Sequence, residues 1–414
     1  MTLPHNWQIL DLTDVAKVYS GGTPRRSAPD NWGGPIPWVT TAEVDGTVIN
    51  STVESITEVG LSHSAARIAP AGTLLMAMYG QGKTRGMTSM LGIDAAMNQA
   101  CAAIEPRPSI DAEYLLVYLQ HNYEMIRSLS NSGSQDNLSG RIVKRIPIVV
   151  PPLVEQRLIA TILRDISSLV SSLEKLIAKK QAIKQGMMQQ LLTGRTRLPG
   201  FDRPWADVTL GDHVTYLRTV PLSRAQLDGA SPLRYLHYGD IHTRAGVTLD
   251  AAREPMPRAS TILAGRAGRL QRGDLVFADA SEDPSGVGKS VEILEVPTDG
   301  VVAGLHTIAA RFSRPVLADG FKAYLQFIPV FRESLLRRAA GTKVLATTRS
   351  TISSITLALP SVDEQSAIAA ALRDADAEIS ALERRLAKAR VVKTGMMQQL
   401  LTGRIRLPVE VSDG

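Results

Sequence analysis

The feature that most constrains the fold is an internal repeat. Residues 184–199 recur almost unchanged as residues 393–408, an offset of 209 positions. Aligned without gaps, residues 151–199 and 360–408 are identical at 27 of 49 positions. An offset of about half of the 414 residues is far longer than the units of solenoids or propellers. We therefore expect two copies of one unit, each a globular segment followed by a repeated segment.

The two globular segments are only faintly similar, but a set of landmark residues keeps its order in both. The pairs are Trp7 with Trp205, Trp38 with Tyr235, Glu43 with Asp240, Gly72 with Gly273, Tyr118-Leu119-Gln120 with Tyr324-Leu325-Gln326, and Ile146 with Ile355. Because the offset between partners varies from 197 to 209, the connecting loops differ in length. This favours one scaffold that carries two different surfaces. The alternative is simple drift after duplication.

The first repeated segment has apolar residues at heptad spacing, which predicts a long amphipathic helix over residues 152–193. Pro151 and Pro152 suit its first turn, Glu155 lies near its positive end, and Gly194 follows as a stop. The apolar columns are Ile159, Ile166, Leu173 and Met187; Ile162, Leu169, Leu176 and Ile183; and Leu163, Val170, Ile177 and Leu191.

The second repeated segment predicts an equivalent helix over residues 361–402. The first and third columns are retained, as Ile368, Leu382 and Met396 and as Leu372, Ile379, Leu386 and Leu400; the second column becomes Ala371, Glu378, Arg385 and Val392. We expect an antiparallel pair in which the two helices bury these stripes on each other. The alternative is that each helix packs on its own globular domain.

The globular segments alternate short β-like runs with helical stretches. The predicted strands are 36–39, 73–77, 102–104, 146–150, 234–236, 274–277, 307–312 and 355–359, and the predicted helical stretches are 112–129 and 320–338. The expected fold class is α/β (α+β): duplicated globular domains separated by two long antiparallel helices, a coiled-coil-like spacer with pseudo-two-fold symmetry. The expected segments are domain 1 (1–150), helix (151–200), domain 2 (201–359), helix (360–408) and tail (409–414).

No catalytic motif is evident in the sequence. We find no Gly-x-Ser-x-Gly elbow, no glycine-rich cofactor fingerprint, no methyltransferase Asn-Pro-Pro-aromatic motif and no nuclease-type acidic pair with Glu-x-Lys. The single cysteine, Cys101, excludes a disulfide framework and a cysteine-rich zinc site. His237 and His242 have only Asp240 nearby, so we expect no metal site. The chain is predicted to be non-catalytic.

Two segments imitate a phosphate-binding loop. Residues 77–84 end in Gly-Lys-Thr and residues 283–290 end in Gly-Lys-Ser, but the first glycine of the pattern is replaced by Ala77 and Asp283. That glycine is needed for the backbone geometry, and an aspartate would repel the anion. Because the segments occupy similar places in the two halves, we expect loops that contact a DNA backbone rather than a nucleotide.

The net charge of +6 is unevenly distributed. Residues 1–150 carry 11 basic and 13 acidic groups, residues 151–200 carry 8 and 3, residues 201–359 carry 19 and 16, and residues 360–414 carry 8 and 8. In residues 201–359, 16 of the basic groups are arginines, which suit bidentate contacts with guanine or phosphate.

The candidate DNA-contacting residues lie in basic and amide-rich loops, where a solvated surface role is the alternative for each. They are Thr23, Arg25, Arg26, Lys83, Arg85, Ser134, Gln135, Asn137 and Arg141 in the first half, and Arg224, His237, Tyr238, Arg244, Lys289, Lys343, Thr347, Thr348 and Arg349 in the second.

Several short motifs stand in a fixed order along the chain. They are Ser20-Gly-Gly-Thr-Pro24 and Gly34-Pro-Ile-Pro-Trp38, Arg234-Tyr-Leu-His-Tyr-Gly-Asp-Ile241, the junctions Ile146-Pro-Ile-Val-Val-Pro-Pro-Leu-Val-Glu-Gln156 and Leu359-Pro-Ser-Val-Asp-Glu-Gln365, and the twin Gly-Met-Met-Gln-Gln-Leu-Leu-Thr-Gly-Arg ends. Over essentially its whole length, the chain resembles the specificity subunit of type I restriction–modification systems. The second half departs from the family's Gly-x-Thr-Pro motif, with Arg218-Thr-Val-Pro221, so its first loop is less securely placed.

The resemblance implies that each globular domain recognises one half of a bipartite, asymmetric DNA site and that the helices dock two modification subunits. The implied partners are double-stranded DNA, two modification (methyltransferase) subunits and restriction (endonuclease/translocase) subunits. S-adenosylmethionine, ATP and Mg²⁺ would be bound by the partner subunits, and no cofactor by this chain.

Two alternatives from other classes stay open. One is a non-DNA symmetric adaptor that bridges two copies of a protein partner, which should show no salt-dependent DNA binding. The other is a divergent nucleotide-dependent enzyme. No run approaches the 18 apolar residues of a membrane helix, and the N-terminus lacks a signal-peptide pattern. We therefore expect a cytoplasmic protein with no membrane partner.

Overall fold

The chain forms two compact units. The computed structural model describes residues 3–80, 82–129, 137–281, 283–338 and 345–408. Unit 1 consists of Met1–Glu174 with Arg384–Gly414, and unit 2 consists of Lys175–Glu383. Each unit therefore contains one globular domain and parts of both long helices. The five-segment division at residues 150, 200, 359 and 408 stays a prediction.

Unit 1 contains a mixed sheet, a smaller sheet and a strand pair. The strands are β1 (Gln8–Asp11), β2 (Ala16–Ser20), β3 (Trp32–Val39), β4 (Val48–Ile49), β5 (Glu54–Ile56), β6 (Leu74–Ala77), β7 (Thr88–Leu91), β8 (Ala96–Met97), β9 (Cys101–Pro106) and β10 (Pro147–Val150). Their orders are β2–β9–β6–β7–β4, β5–β3–β8 and β1–β10. The helices are α1 (Leu12–Val15), α2 (Glu58–Ser62), α3 (Ala112–His121), α4 (Tyr123–Ser128), α5 (Gly140–Lys144) and α6 (Leu153–Leu191), whose second half belongs to unit 2.

Unit 2 has a similar arrangement of strands. They are β11 (Ala206–Thr209), β12 (Val214–Leu217), β13 (Arg234–Leu236), β14 (Thr248–Asp250), β15 (Leu275–Ala278), β16 (Ala280–Ser281), β17 (Ser290–Glu295), β18 (Val301–Ala303), β19 (Thr307–Phe312), β20 (Leu345–Ala346) and β21 (Thr356–Leu359). The pair β16–β20 is additional, and β5 has no counterpart among the described residues of unit 2. The helices are α7 (Tyr238–His242), a 3₁₀ helix (Lys322–Phe327), α8 (Pro329–Arg338), α9 (Arg349–Ser353) and α10 (Val362–Leu400).

The two domains are copies of one mixed α/β fold. The sheet order β12–β19–β15–β17–β14 corresponds to β2–β9–β6–β7–β4, the parallel pair β13–β18 to β3–β8, and the antiparallel pair β11–β21 to β1–β10. β5 adds an antiparallel strand beside β3 in unit 1. The predicted duplication of the globular fold is confirmed.

The two helical stretches predicted beside these sheets are each interrupted. In unit 1 the stretch 112–129 divides into α3 and α4 at Asn122. In unit 2 the stretch 320–338 begins as the 3₁₀ helix and becomes α-helical at Pro329. Proline has no backbone N–H and is tolerated in the first helical turn, so it starts a new helix there.

The repeated segments form the two long helices, α6 and α10, each 39 residues long. Both end just before a glycine, Gly194 or Gly403, whose φ is +69°. This left-handed conformation costs glycine little and ends a helix by directing the chain away from its axis. None of the helices in the part of the chain that the structure describes is long and apolar enough to cross a membrane.

The long helices are antiparallel within each unit. In unit 1 an ion pair joins Glu174 of α6 to Arg390 of α10, with 2.7 Å between Oε1 and Nη2. In unit 2, Lys180 pairs with Glu378 at 2.7 Å, and Lys184 pairs with Asp376. The residue number falls along α10 as it rises along α6, as the antiparallel spacer requires.

The apolar stripes of the helices are shared between helix pairing and domain packing. The first turns of α6 and the last turns of α10 enter the core of domain 1, whereas the last turns of α6 and the first turns of α10 enter the core of domain 2. Among the predicted stripe residues, Ile159, Leu163, Leu173, Ile177, Leu191, Ile368, Leu372, Ile379 and Leu400 are buried, and Ile166, Met187, Leu382, Leu386 and Met396 are half-buried. Their predicted contact with partner subunits stays a prediction.

Candidate nucleic-acid interface

Four loops of unit 1 meet around residues 98–100, between β8 and β9. They follow β2, β3, β6 and α4, and backbone hydrogen bonds hold them together. Gly22 N donates to Met97 O (2.9 Å), Asn98 N to Val39 O (2.9 Å), Met78 N to Ala100 O (2.8 Å) and Leu138 N to Met78 O (2.9 Å). We call this group of loops loop cluster 1.

Unit 2 repeats these four hydrogen bonds at equivalent positions. Val220 N donates to Ala303 O (3.1 Å), Gly304 N to Leu236 O (2.9 Å), Asp279 N to His306 O (3.1 Å) and Thr347 N to Asp279 O (2.7 Å). We call these loops loop cluster 2. The two clusters therefore share a backbone frame although their loops differ in length and sequence.

One buried aromatic side chain braces each frame, at the landmark pair Trp38 and Tyr235. The indole Nε1 of Trp38 donates to Gly22 O at 3.0 Å. The hydroxyl of Tyr235 donates to Val220 O at 3.0 Å and accepts from Leu305 N at 2.8 Å. Burial raises the pKa of Tyr235, so the hydroxyl keeps its proton. Different side chains thus perform the same positioning task.

In loop cluster 1, Arg26 is held by its own domain. Its guanidinium makes a bidentate pair with Glu54 and lies 4.1 Å from the centroid of Trp32 and 5.0 Å from that of Trp38. The hydrogen bonds from Arg26 hold the pKa of Glu54 below its usual range, and those accepted by Glu54 raise the pKa of Arg26. An arginine restrained this way is pre-oriented for stacking or hydrogen bonding.

The neighbouring residues of this loop differ in how firmly their side chains are held. Thr23 donates its hydroxyl proton to Gln99 across the cluster. Arg25 is exposed, and its Nε donates to Ser27 Oγ at 3.1 Å. Thr23 and Arg26 are therefore tied to the frame, whereas Arg25 extends from it.

Side chains of α4 hold the loop between β6 and β7 through hydrogen bonds to its backbone. Tyr123 donates its hydroxyl proton to Lys83 O at 2.5 Å, and Arg127 donates to Gly82 O. The Lys83 side chain is exposed. The remaining predicted residues of this half are Arg85 and Asn137, both half-buried, Arg141, exposed on α5, and Ser134 and Gln135, which lie outside the described residues.

Loop cluster 2 contains an aromatic and histidine group that the sequence analysis found only in part. His237 lies 4.5 Å from Tyr238, and Tyr238 packs edge-on against His242 at 6.0 Å and His306 at 5.4 Å, between ring centroids. His237 is buried, accepts from Gly239 N at 3.1 Å, and has a pKa lowered chiefly by that burial. In the described residues no group of three His, Cys, Asp or Glu side chains could hold a metal ion.

Two of the predicted basic residues of this half have partners in their own domain. Arg244 donates both Nη groups to Glu254, with 2.7 Å from Nη1 to Oε2. Lys289 donates its ammonium group to His242 O at 2.5 Å. Arg224 and Arg349 are exposed; Arg349 lies 5.6 Å over the ring of Tyr216.

The two threonines of this half begin α9. Thr347 is buried, and the Thr348 hydroxyl caps the helix by accepting from Thr351 N at 3.1 Å. Lys343 lies outside the described residues. Both threonines therefore have structural roles, and they place the exposed Arg349 at the edge of the cluster.

The two phosphate-loop imitations lie in equivalent connections between antiparallel strands. The first joins β6 to β7 and the second lies between β15 and β17. A nucleotide-binding loop instead joins a strand to a helix whose N-terminus faces the phosphate. These segments are parts of the loop clusters.

The structure adds His242, His306, Asp279 and Gln99 to the candidate site. None of them belongs to a basic or amide-rich run, so composition did not select them. The equivalence of the two halves was the available signal, because residues 98–100 precede β9 as residues 304–306 precede β19.

A family profile described as "Type I restriction modification DNA specificity domain" matches residues 4–185. Residues 4–185 therefore form a type I restriction–modification DNA specificity domain. Among characterised relatives, the MjaIX specificity subunit of Methanocaldococcus jannaschii is 28% identical over 42% of this chain and 40% of its own. The EcoR124I/EcoR124II specificity subunit of Escherichia coli is 24% identical over 42% of this chain. The chain spans less than half of these two relatives, covering 44% of the second.

The likeness extends over the whole chain in other comparisons. The putative MjaX specificity subunit of Methanocaldococcus jannaschii is 23% identical over 98% of this chain and 95% of its own. The type I restriction–modification S subunit from M. genitalium has a TM-score of 0.58 at 12% identity, over 97% of this chain and 98% of that one. The HsdS subunit from Thermoanaerobacter tengcongensis has a TM-score of 0.51 at 18% identity, over 98% and 99%. The resemblance to specificity subunits and the expected fold, with two α/β domains of one kind and two antiparallel long helices, are confirmed.

Proposed function

We propose that this chain is a specificity subunit that recognises a bipartite, asymmetric DNA site, with each loop cluster contacting one half. The observation that carries the proposal is the shared frame of four backbone hydrogen bonds with different side chains on it. A rigid frame can hold a variable surface in position, which is how recognition loops are commonly displayed. Because the two similar frames carry different side chains, they suit two half-sites of different sequence.

The exposed side chains support docking of two copies of one partner. Identical residues are exposed on both repeated segments at several equivalent positions, among them Arg164 and Arg373, Glu174 and Glu383, Gln189 and Gln398, and Arg195 and Arg404. Packing does not require such identity at exposed positions. Two equivalent surfaces on one chain would bind two modification subunits in equivalent ways.

The chain itself would be non-catalytic and bind no cofactor. S-adenosylmethionine, ATP and Mg²⁺ would be bound by the modification and restriction subunits. The exposed basic residues Arg25, Lys83, Arg141, Arg224 and Arg349 are the candidates for phosphate and base contacts. Arg26, Arg244 and Lys289 already have partners in their own domains, so they would contact DNA only from the fixed positions in which those partners hold them.

The test is a domain exchange in the assembled methyltransferase. The chain is co-expressed with its cognate modification subunit in a host without other DNA methyltransferases, and methylated adenines are mapped by single-molecule sequencing. Exchange of residues 1–150 for the equivalent domain of another family member should change one half of the methylated motif and leave the other half intact. Native mass spectrometry should find two modification subunits per chain.

A continuous motif, or a change in both halves after the exchange, would contradict the proposal. A measurement of DNA binding distinguishes this proposal from an adaptor that binds only proteins. The affinity of the complex should fall steeply with salt, because each phosphate contact releases counterions. Binding that is absent, or independent of salt, would favour the adaptor.

A further inference from the structure

His306 lies in the turn between β18 and β19, at the centre of loop cluster 2. Its φ is +53°, a left-handed conformation that residues with a Cβ atom adopt at a cost and that glycine adopts freely. The side chain is 51% exposed. Neither backbone geometry nor burial in a core therefore accounts for a histidine at this position, and strained residues of this kind often serve a site.

The imidazole of His306 is oriented from two sides. Its Nδ1 lies 3.3 Å from Oδ1 of Asp279, and its ring packs edge-on against Tyr238, with 84° between the ring planes. The main chain adds a hydrogen bond from Asp279 N to His306 O. A neutral imidazole with its proton on Nδ1, the nitrogen nearer the carboxylate, has Nε2 as a hydrogen-bond acceptor.

The equivalent position in unit 1 is Ala100. Its carbonyl accepts from Met78 N, as the carbonyl of His306 accepts from Asp279 N. The same point of the shared frame therefore carries a methyl group in loop cluster 1 and an oriented imidazole in loop cluster 2. This difference would affect only one half-site.

We propose that His306, oriented by Asp279, contacts a base edge in the DNA half-site bound by unit 2 and helps to determine its specificity. The proposal rests on the proposed function, in which unit 2 binds one half-site. The carboxylate of Asp279 is 32% exposed beside the imidazole, and its charge disfavours a phosphate there. A base edge offers a suitable donor, because the exocyclic amines of adenine and cytosine are exposed in the major groove.

The test uses the full chain with its modification subunit and maps the methylated motif by single-molecule sequencing. His306→Gly removes the imidazole and retains a residue suited to the left-handed turn. We expect it to relax one base position in one half-site, with a preference lowered about tenfold, at an unchanged melting temperature. Asp279→Asn should relax the same position less, because the amide keeps the shape of the carboxylate beside Nδ1 and loses only its charge. Ala100→Gly is the matched control and should leave the motif unchanged.

The outcomes separate the inference from the function on which it rests. An unchanged motif with normal methylation in His306→Gly would overturn the role of His306. A uniform loss of methylation at every site, with the motif intact, would indicate a phosphate contact and overturn the base-edge assignment. A continuous motif for the wild-type chain would instead refute the proposed function, and the role of His306 with it.

Discussion

Loop clusters 1 and 2 have the same backbone hydrogen bonds and different chemistry. In cluster 1 a guanidinium, that of Arg26, is paired with Glu54 and packed on Trp32 and Trp38. In cluster 2 the corresponding region holds His237, Tyr238, His242 and His306 around one another. The comparison shows that the frame depends on main-chain contacts, so the side chains can differ without loss of the fold.

The two units also differ in side-chain chemistry within their five-stranded sheets. β6 and β15 occupy equivalent positions, and Leu74 pairs with Met90 whereas Leu275 pairs with Glu292. Glu292 is 1% exposed, and its carboxylate accepts from Gly320 N at 2.6 Å and from Ala323 N at 2.8 Å. Unit 2 thus contains a buried acid where unit 1 has a methionine. We expect the units to respond alike to changes in their shared core and differently to pH.

The prediction with the largest expected effect tests the equivalence of the two hydrophobic cores. Leu163 and Leu372 are equivalent residues of α6 and α10, exposed by 1% and 0%. Leu163→Ala and Leu372→Ala should each lower the free energy of unfolding by about 2–5 kcal/mol, because each leaves a cavity in a packed core. Chemical denaturation measures the change.

An exposed leucine of the same helix is the control for this pair. Leu176 is 39% exposed, so Leu176→Ala should cost less than about 1 kcal/mol. A large loss for one buried leucine and a negligible loss for its counterpart would break the equivalence of the two cores.

The second prediction concerns the difference between the units. Burial raises the pKa of Glu292 to about 7, against opposing hydrogen bonds from Gly320 and Ala323 and the charge of Lys322. The folded protein therefore binds this proton more tightly than the unfolded chain does. The associated stability is complete below pH 4.5 and is lost as the pH rises through 7, to a total of about 3 kcal/mol.

Unfolding measured between pH 4.5 and 8 checks this prediction. Glu292→Gln is the matched variant, since it cannot titrate and keeps an amide oxygen for one of the two backbone donors. The stability difference between wild type and variant should change with pH in the stated direction. A difference that is constant over this range would show that Glu292 does not titrate with the raised pKa.

The parts of the fold that were predictable from sequence depend on patterns local to the chain or on the duplication. The strands at 234–236 and 307–312 were predicted with the observed bounds because they are short apolar runs. The landmarks Trp38 and Tyr235 perform the same task because they descend from one position of a duplicated unit. The long helices followed from heptad spacing over many turns.

The site was harder to predict because its contacts join residues far apart in sequence. The sequence selected Lys289 and Arg244 for their charge, but each has a partner in its own domain. It did not select His306, whose importance comes from its turn and from Asp279. No sequence pattern marked Glu292 as buried, because its burial depends on the distant segment around Gly320, whose backbone N–H donates to its carboxylate.

The smallest predicted effect compares the buried glutamates that begin the two long helices. Glu155 and Glu364 are equivalent, each 1% exposed, and each accepts hydrogen bonds from an arginine of the other repeated segment, Arg406 or Arg197. Glu155 also accepts from Trp7 Nε1 at 3.0 Å, whereas Trp205 Nε1 is buried with no hydrogen-bond partner among the described residues.

Glu155→Ala should therefore be more destabilising than Glu364→Ala by about 1–2 kcal/mol, because it also leaves a buried indole N–H without an acceptor. Double-mutant cycles measure this difference directly. The cycle of Trp7→Phe with Glu155→Ala should give a coupling of about 1 kcal/mol, and that of Trp205→Phe with Glu364→Ala should give none. Equal couplings would mean that the two junctions are the same in energy despite the hydrogen bond that only one of them makes.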